Sequence, residues 1–367
     1  MNNYGVRDSA NLWFKNYLND REQFVNINGI NSERKKIVCG VPQGSVLGAL
    51  LFLLFINDLP NATNFLTLLF ADDTTFQVSD SDADKFFGIA NSELEKAAVW
   101  FKANKLPLNV KKTKFMIFSE KQINISNKNL KIDNTSIEQI GTNCKQRYFK
   151  FVGYVLDDKL TWEGHVEHIT KKLASANFAI NSSKNLLPLN IRRTLYHSLF
   201  DSHLNFDNLH WGCAKIKTLE KVETLQKKCV RNVGLKGFRS HTEPIFKDLK
   251  ILKLSDRLNF SRSIFMHKYR NKKLPNSFSD IFTDASNTDL AHYNRHSDYN
   301  YDTMPAAKKY LENFPLKQII FNWNSLSLEL KATADPIEFE TMLKMYYLSK
   351  YKSEPDCSHD CFICNME

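Results

Sequence analysis

The stretch 65–78, Phe-Leu-Thr-Leu-Leu-Phe-Ala-Asp-Asp-Thr-Thr-Phe-Gln-Val, constrains the fold more than any other part of this sequence. Apolar and β-branched residues run up to two acids, and a second short run of the same kind follows. That is the pattern of a β-hairpin with carboxylates at its tip. Asp72 and Asp73 occupy the tip. Hard oxygen donors held on paired strands form a ligand set for Mg²⁺ or Mn²⁺, and the chemistry they suggest is phosphoryl or nucleotidyl transfer. Neighbouring strand residues point to opposite faces, so one acid, Asp72 on this reading, is expected to reach both ions of a two-metal site. An Asp-Asp turn between surface strands has the same local sequence, and its neighbours must separate the two readings.

The rest of the composition narrows the class. Hydrophobic residues at 43% and aromatic residues at 12%, with few Gly and Pro, predict that most of the 367 residues pack into one large core or two to three smaller ones. A formal net charge of +10 favours a polyanionic partner, nucleic acid before membrane. Cys39, Cys144, Cys213 and Cys229 are scattered singly, which argues against a disulfide framework and for a reducing compartment. The start has no apolar signal region, and the longest apolar run, 46–56, is shorter than the ~20 residues that cross a bilayer. The expectation is a soluble protein that is not secreted.

Taken in order, residues 10–18 have helical spacing, and 23–27 and 35–38 read as strands joined through the Asn28-Gly29 turn. Gly40-Val41-Pro42-Gln43-Gly44-Ser45 is a punctuated loop in which Ser45 suits the N-cap of a buried helix beginning at Val46. A helix is expected over 92–104, a break at Leu106-Pro107, a strand over 115–118 and a hairpin over 149–157. Beyond Thr161 the pattern is helical, with Trp162, Val166, Ile169, Leu173 and Ala176 on one face and a further helix over 191–204. His165 and His168 share a helix turn without a third ligand and read as surface histidines. Residues 217–236 alternate apolar and basic residues, the pattern of a helix lying along a phosphate backbone and equally of a solvated helix. Residues 271–304 read as a polar loop and 315–347 as short helices. Cys357, His359, Cys361 and Cys364 could hold one Zn²⁺, at a spacing tighter than that of usual structural sites.

Residues 40–47 and Ile56-Asn57-Asp58-Leu59-Pro60, followed by Phe70-Ala71-Asp72-Asp73, resemble the reverse transcriptase domain of non-LTR retrotransposons, the Jockey-like elements. Leu108-Asn109-Val110-Lys111-Lys112-Thr113 resembles that family's next motif, and 149–157 resembles the hairpin that grips the primer end. The resemblance implies an α+β fold, a partial polymerase palm of antiparallel sheet with helices in a right-hand architecture. It implies fingers and palm over 1–160, a helical thumb-like region over 161–255, a helical C-terminal extension over 256–350 and a Cys/His tail over 351–367. It further implies an RNA-directed DNA polymerase that uses an RNA template, a DNA primer and dNTP, in the nucleus or cytoplasm. Asp72 and Asp73 would be the catalytic metal ligands, Gln43, Gly44, Ala71 and Lys112 would face the nucleotide or template, and Phe151, Gly153 and Tyr154 would form the primer grip. The family also has an aspartate on a strand ahead of the Gly-Val-Pro-Gln-Gly loop, and nothing in 1–39 matches that motif. The expectation is a 5′-truncated element with two of three carboxylates, weak or inactive as a polymerase. A non-catalytic nucleic-acid-binding retroelement remnant is the competing expectation.

Overall fold

The computed structural model describes residues 4–42, 44–119, 128–279, 281–282, 299–301 and 314–353. Contacts divide the chain into two compact units, Met1–Gln139 and Ile140–Glu367. Helices combine with small antiparallel sheets throughout, so the fold is α+β as the sequence implied. Among the described residues every sheet is two-stranded.

The first unit opens with α1 (Asp8–Leu18), β1 (Glu22–Gln23), β2 (Asn26–Ile27), β3 (Ile30–Asn31) and β4 (Lys35–Lys36). Asn28 and Gly29 both have positive φ, the conformation a two-residue hairpin turn requires. They join β2 to β3, and β1 pairs with β4 outside them, so the expected strand pair is a nested hairpin. α2 (Val46–Ile56) is capped as its sequence predicts: the Gly48 N–H donates to Ser45 Oγ at 3.0 Å. The expectation that this helix is buried fails, because Gly48, Leu51 and Ile56 are buried while Val46, Ala49, Leu50 and Leu53 form an exposed stripe. A helix that is apolar all round hides only the side its neighbours cover.

β5 (Leu66–Phe70) and β6 (Asp73–Gln77) follow, then α3 (Ala83–Ala103), β7 (Lys114–Met116), β8 (Lys131–Ile132), β9 (Thr135–Ser136) and β10 (Glu138–Ile140). α3 starts nine residues before the expected 92–104 helix: Asp82 caps it by accepting from the Asp84 and Lys85 N–H groups, and Phe87 and Ala90 extend its apolar face. One small core joins Ile56, Leu59 and Phe101 with Leu69 and Phe76 of the hairpin. A second gathers Phe65, Phe87, Ala90, Leu94 and Ala98 with Leu130, Ile132 and Ile137. α3 therefore braces the inner face of the β5–β6 hairpin.

In the second unit β11 (Phe149–Phe151) and β12 (Tyr154–Leu156) precede α4 (Glu163–Ser183) and α5 (Leu189–Leu195). A π-helical turn, Tyr196–Asp201, then leads into α6 (Ser202–Asn205). After α7 (Asn208–Trp211) come α8 (Ile216–Gly234), α9 (Thr242–Asp248) and α10 (Leu254–Arg270). α11 (Pro315–Asn324), α12 (Leu328–Ala332) and α13 (Pro336–Ser349) complete the described elements. Val166, Ile169, Leu173 and Ile180 of α4 share one core with Val222, Cys229, Val230 and Val233 of α8. Each such side chain contributes on the order of 1.5–3 kcal/mol on burial. The same core continues through Leu258 and Met266 of α10 to Trp323 of α11 and Phe339 and Leu343 of α13. Among the described residues no helix is long and apolar enough to cross a membrane.

Candidate active site

The tip of the β5–β6 hairpin is set by its register. Phe70 pairs with Asp73, Leu69 with Thr74 and Leu68 with Thr75, which leaves Ala71 and Asp72 as the whole turn. Ala71 carries the positive φ, +52°, a region that L residues other than Gly seldom occupy. Cross-strand partners share a face. Asp73 therefore stands beside Phe70 on the exposed face with Leu66 and Leu68, while Thr67, Leu69, Thr74 and Phe76 form the other face. Leu69 and Phe76 of that inner face pack into the first-unit core, which fixes the hairpin, and both acids stay exposed beyond it. Asp72 lies in the turn and Asp73 at the first position of a strand, so the two differ by backbone class as well as by facing.

The chemistry of this donor pair suits a hard divalent cation, which proteins commonly hold through one or two carboxylates together with substrate phosphates. Among the described residues no group of three His, Cys, Asp or Glu is placed to hold a metal. The buried acid nearest in sequence, Glu93, is committed elsewhere: it accepts from the Asn64 N–H at 2.7 Å and pairs with Lys96 at 2.6 Å. Its carboxyl pKa is lowered, first by that backbone hydrogen bond and then by Lys96.

Gly44 has φ +77° and open space where a Cβ would stand, so its backbone is accessible, while Gln43 lies outside the described residues. Lys112 is exposed on a turn whose Asn109 carboxamide accepts the Lys112 N–H at 3.2 Å. Cys357, His359, Cys361 and Cys364 also lie outside the described residues.

The β11–β12 hairpin belongs to the second unit. Val152 and Gly153 form its turn with positive φ at both positions, and a Cβ on Gly153 would come within 2.8 Å of the Phe206 ring. Tyr154 donates its hydroxyl to Asp207, whose carboxylate also meets His210 Nδ1 at 2.6 Å. Burial, then that hydrogen bond, pushes the Tyr154 phenol pKa upward, and the same carboxylate raises the His210 pKa through its hydrogen bond. Phe151 is partly buried, and Lys150 between the strand ends is exposed.

His165 corrects the sequence reading. It is buried in tilted contact with Tyr154 and Trp211 and edge-on to Trp162, and its Nδ1 accepts the Val155 N–H at 3.3 Å. That bond puts the neutral ring's proton on Nε2, which is buried without a partner among the described residues. The signal was present: His165 lies four residues before Ile169 and eight before Leu173, on the apolar face of α4. His168 is partly exposed, and its pKa is lowered by burial and then by Lys172, Lys150, Lys171 and His203. His203 is shifted down likewise, by burial and then Lys172. Lys150, His168, Lys172 and His203 thus make one cationic cluster beside the hairpin.

Residues 1–156 match the family described as reverse transcriptase (RNA-dependent DNA polymerase). What this shows is a likeness of residues 1–156 to reverse transcriptases. The chain is 27% identical over 269 residues to the RNA-directed DNA polymerase from mobile element jockey of Drosophila melanogaster, a match over 70% of this chain and 28% of that relative. It is 25% identical over 272 residues to the probable RNA-directed DNA polymerase from transposon X-element and 24% identical over 268 residues to that from transposon BS, both of Drosophila melanogaster. Each match covers 70% of this chain and 29% of the relative. The chain thus spans under a third of the length of these relatives, and the likeness runs past residue 156 into the helical unit. No solved structure matches it.

Burial, then the nearby His168 charge, lowers the His165 pKa to about 4. In the unfolded chain the ring titrates near 6.5, so the unfolded state binds more protons between these values. Stability is full above about pH 6.5 and falls as the pH drops toward 4, by an amount on the order of 3 kcal/mol. Chemical denaturation at pH 7 and pH 4.5 should show this loss, and a His165→Gln variant should lose less.

Proposed function

We propose that this chain is the polymerase core of a non-LTR retroelement and extends a DNA primer on an RNA template. The carrying observation is the pair Asp72 and Asp73, one in the two-residue turn and one at the start of β6, on a hairpin braced from within and inside the region that matches reverse transcriptases. Asp72 and Asp73 are the residues that would hold Mg²⁺ or Mn²⁺, and a bound divalent ion supplies Lewis-acid stabilisation and a more acidic primer hydroxyl. The exposed backbone at Gly44 and Ala71 offers close approach to nucleotide or template. Lys112 offers a positive charge to the leaving pyrophosphate. Gln43 takes the template-side role that the resemblance gives it. Phe151, Gly153 and Tyr154 hold the primer-grip hairpin, and its Lys150, with Lys172, His168 and His203, faces the primer phosphates.

The residues divide the labour. Asp207 fixes Tyr154, the Phe206 ring closes on Gly153, and the exposed charge of the hairpin falls on Lys150. A second reading, a nucleic-acid binder without synthesis, draws on the donor count of two acids at the tip. We also propose that Cys357, His359, Cys361 and Cys364 could serve as ligands of one Zn²⁺.

Primer extension on RNA with Mg²⁺ or Mn²⁺ tests the first reading. Asp72→Ala should lower extension by at least about a hundredfold, the effect of losing a few kcal/mol of charge stabilisation, and leave binding intact. Extension that survives the substitution would contradict it, while binding without any extension in the parent chain would favour the second reading.

The cluster makes binding proton-linked. Phosphate contact raises the pKa of His168 and His203 from their lowered values in the free protein, so binding takes up protons. Affinity for a primer-template should rise as the pH falls from 8 to 5.5, and His168→Gln with His203→Gln should flatten the dependence. Affinity that rises with pH would contradict the assignment.

A further inference from the structure

α10 and α13 pack through Leu258, Met266, Phe339 and Leu343, with the His267 and Phe339 rings stacked at 4.2 Å. Beside this seam runs a groove of about 670 Å³, within the size of ordinary ligand sites. Lys250, Arg257 and Lys344 line it, and its apolar wall includes Ile264, Ile337 and Met345. Ile337 and Met345 are exposed. Arg193 is close enough to act electrostatically on Lys344.

These cations exceed the acids that face them. Asp201 is shared between His197 at 3.1 Å and Arg257 at 3.5 Å, and Glu340 is the carboxylate in the groove lining. Lys344 is partly buried and makes no hydrogen bond or ion pair with the described residues. Arg193 Nε is buried and likewise without a partner among them. Burial first, then Arg257, Arg193 and Lys250 against the opposing pull of Asp201, lowers the Lys344 ammonium pKa. Arg257 is held by Asn205 and Asp201, while half-buried Lys344 and the buried Arg193 Nε have donors that an anion in the groove would satisfy.

The geometry points to a phosphodiester-binding site: we propose that the α10–α13 groove holds single-stranded nucleic acid outside the reverse transcriptase domain, with Lys250, Arg257 and Lys344 on its phosphates. This rests on the nucleic-acid reading above. Guanidinium and ammonium groups together match phosphate oxygens, and the apolar wall suits the faces of unstacked bases. An acidic helix is the other polyanion to weigh. The mixed groove, with Glu340 among its lining residues, suits spaced phosphates better than a continuous acidic stripe.

Lysine acylation of the full chain, read by mass spectrometry with and without a 20-nucleotide oligouridylate, tests the proposal. Lys250 and Lys344 should lose labelling when the oligonucleotide binds. Lys250→Gln with Lys344→Gln should make the slope of log affinity against log salt shallower by about 1.4, the share of two phosphate contacts on a single strand. Protection of Lys150 and Lys172 with Lys250 and Lys344 labelled as in the free chain would overturn the groove and leave the proposed function standing. Protection of Lys344 by a helical polyglutamate peptide but not by the oligonucleotide would overturn it in favour of an acidic protein partner. An unchanged salt slope would overturn it as well, and loss of protection at every lysine would remove the nucleic-acid reading itself.

Discussion

The register that pairs Phe70 with Asp73 leaves two residues to reverse the chain, and everything proposed for the first unit depends on that count. With one residue more or fewer, the acids would change face relative to the apolar residues of β5. The turn is closed by an alanine at φ +52° where glycine would sit without strain. Non-glycine residues in this region are held by their surroundings, and here the surroundings are Leu69 and Phe76 packed into the core with Ile56, Leu59 and Phe101. Packing on one face of the hairpin thus fixes what the other end presents.

The second unit uses a related device on a different hairpin. Gly153 lets the β11–β12 turn meet the Phe206 ring, and Asp207 bonds both Tyr154 and His210, so the hairpin is tied to the helices that follow it. Its aromatic side chains serve the fold while its charged residue, Lys150, is exposed. The binding proposed for this unit rests on cations gathered from separate elements: Lys150 from β11, His168 and Lys172 from α4, His203 from α6.

Much of this was legible in the sequence because it is local. The alternation of β5, the Asn28-Gly29 turn, the Ser45 cap and the apolar face of α4 each follow from a few adjacent residues. What escaped depends on contacts distant in sequence. The start of α3 lies ahead of the 92–104 pattern, at the Asp82 cap, with Phe87 and Ala90 of its first turns packed in the core. The π-helical turn Tyr196–Asp201 leaves no periodic trace. The exposed stripe Val46, Ala49, Leu50 and Leu53 looks in sequence like any buried helix face, since hydrophobicity alone does not say which side is covered. His165 reads as a surface histidine when only its lack of a third ligand is weighed and not its register with Ile169, and the α10–α13 groove joins residues about ninety positions apart.

The central claim is that Asp72 and Asp73 hold a divalent metal at the hairpin tip, and metal-directed backbone cleavage tests it most directly. With Fe²⁺, ascorbate and peroxide in place of Mg²⁺, a site made of these carboxylates should cut the chain next to the tip. The account predicts fragments ending near residues 70–75 that vanish with excess Mg²⁺ and in an Asp72→Ala, Asp73→Ala variant. Cleavage confined to other regions, or cleavage at the tip that persists in the double variant, would contradict it.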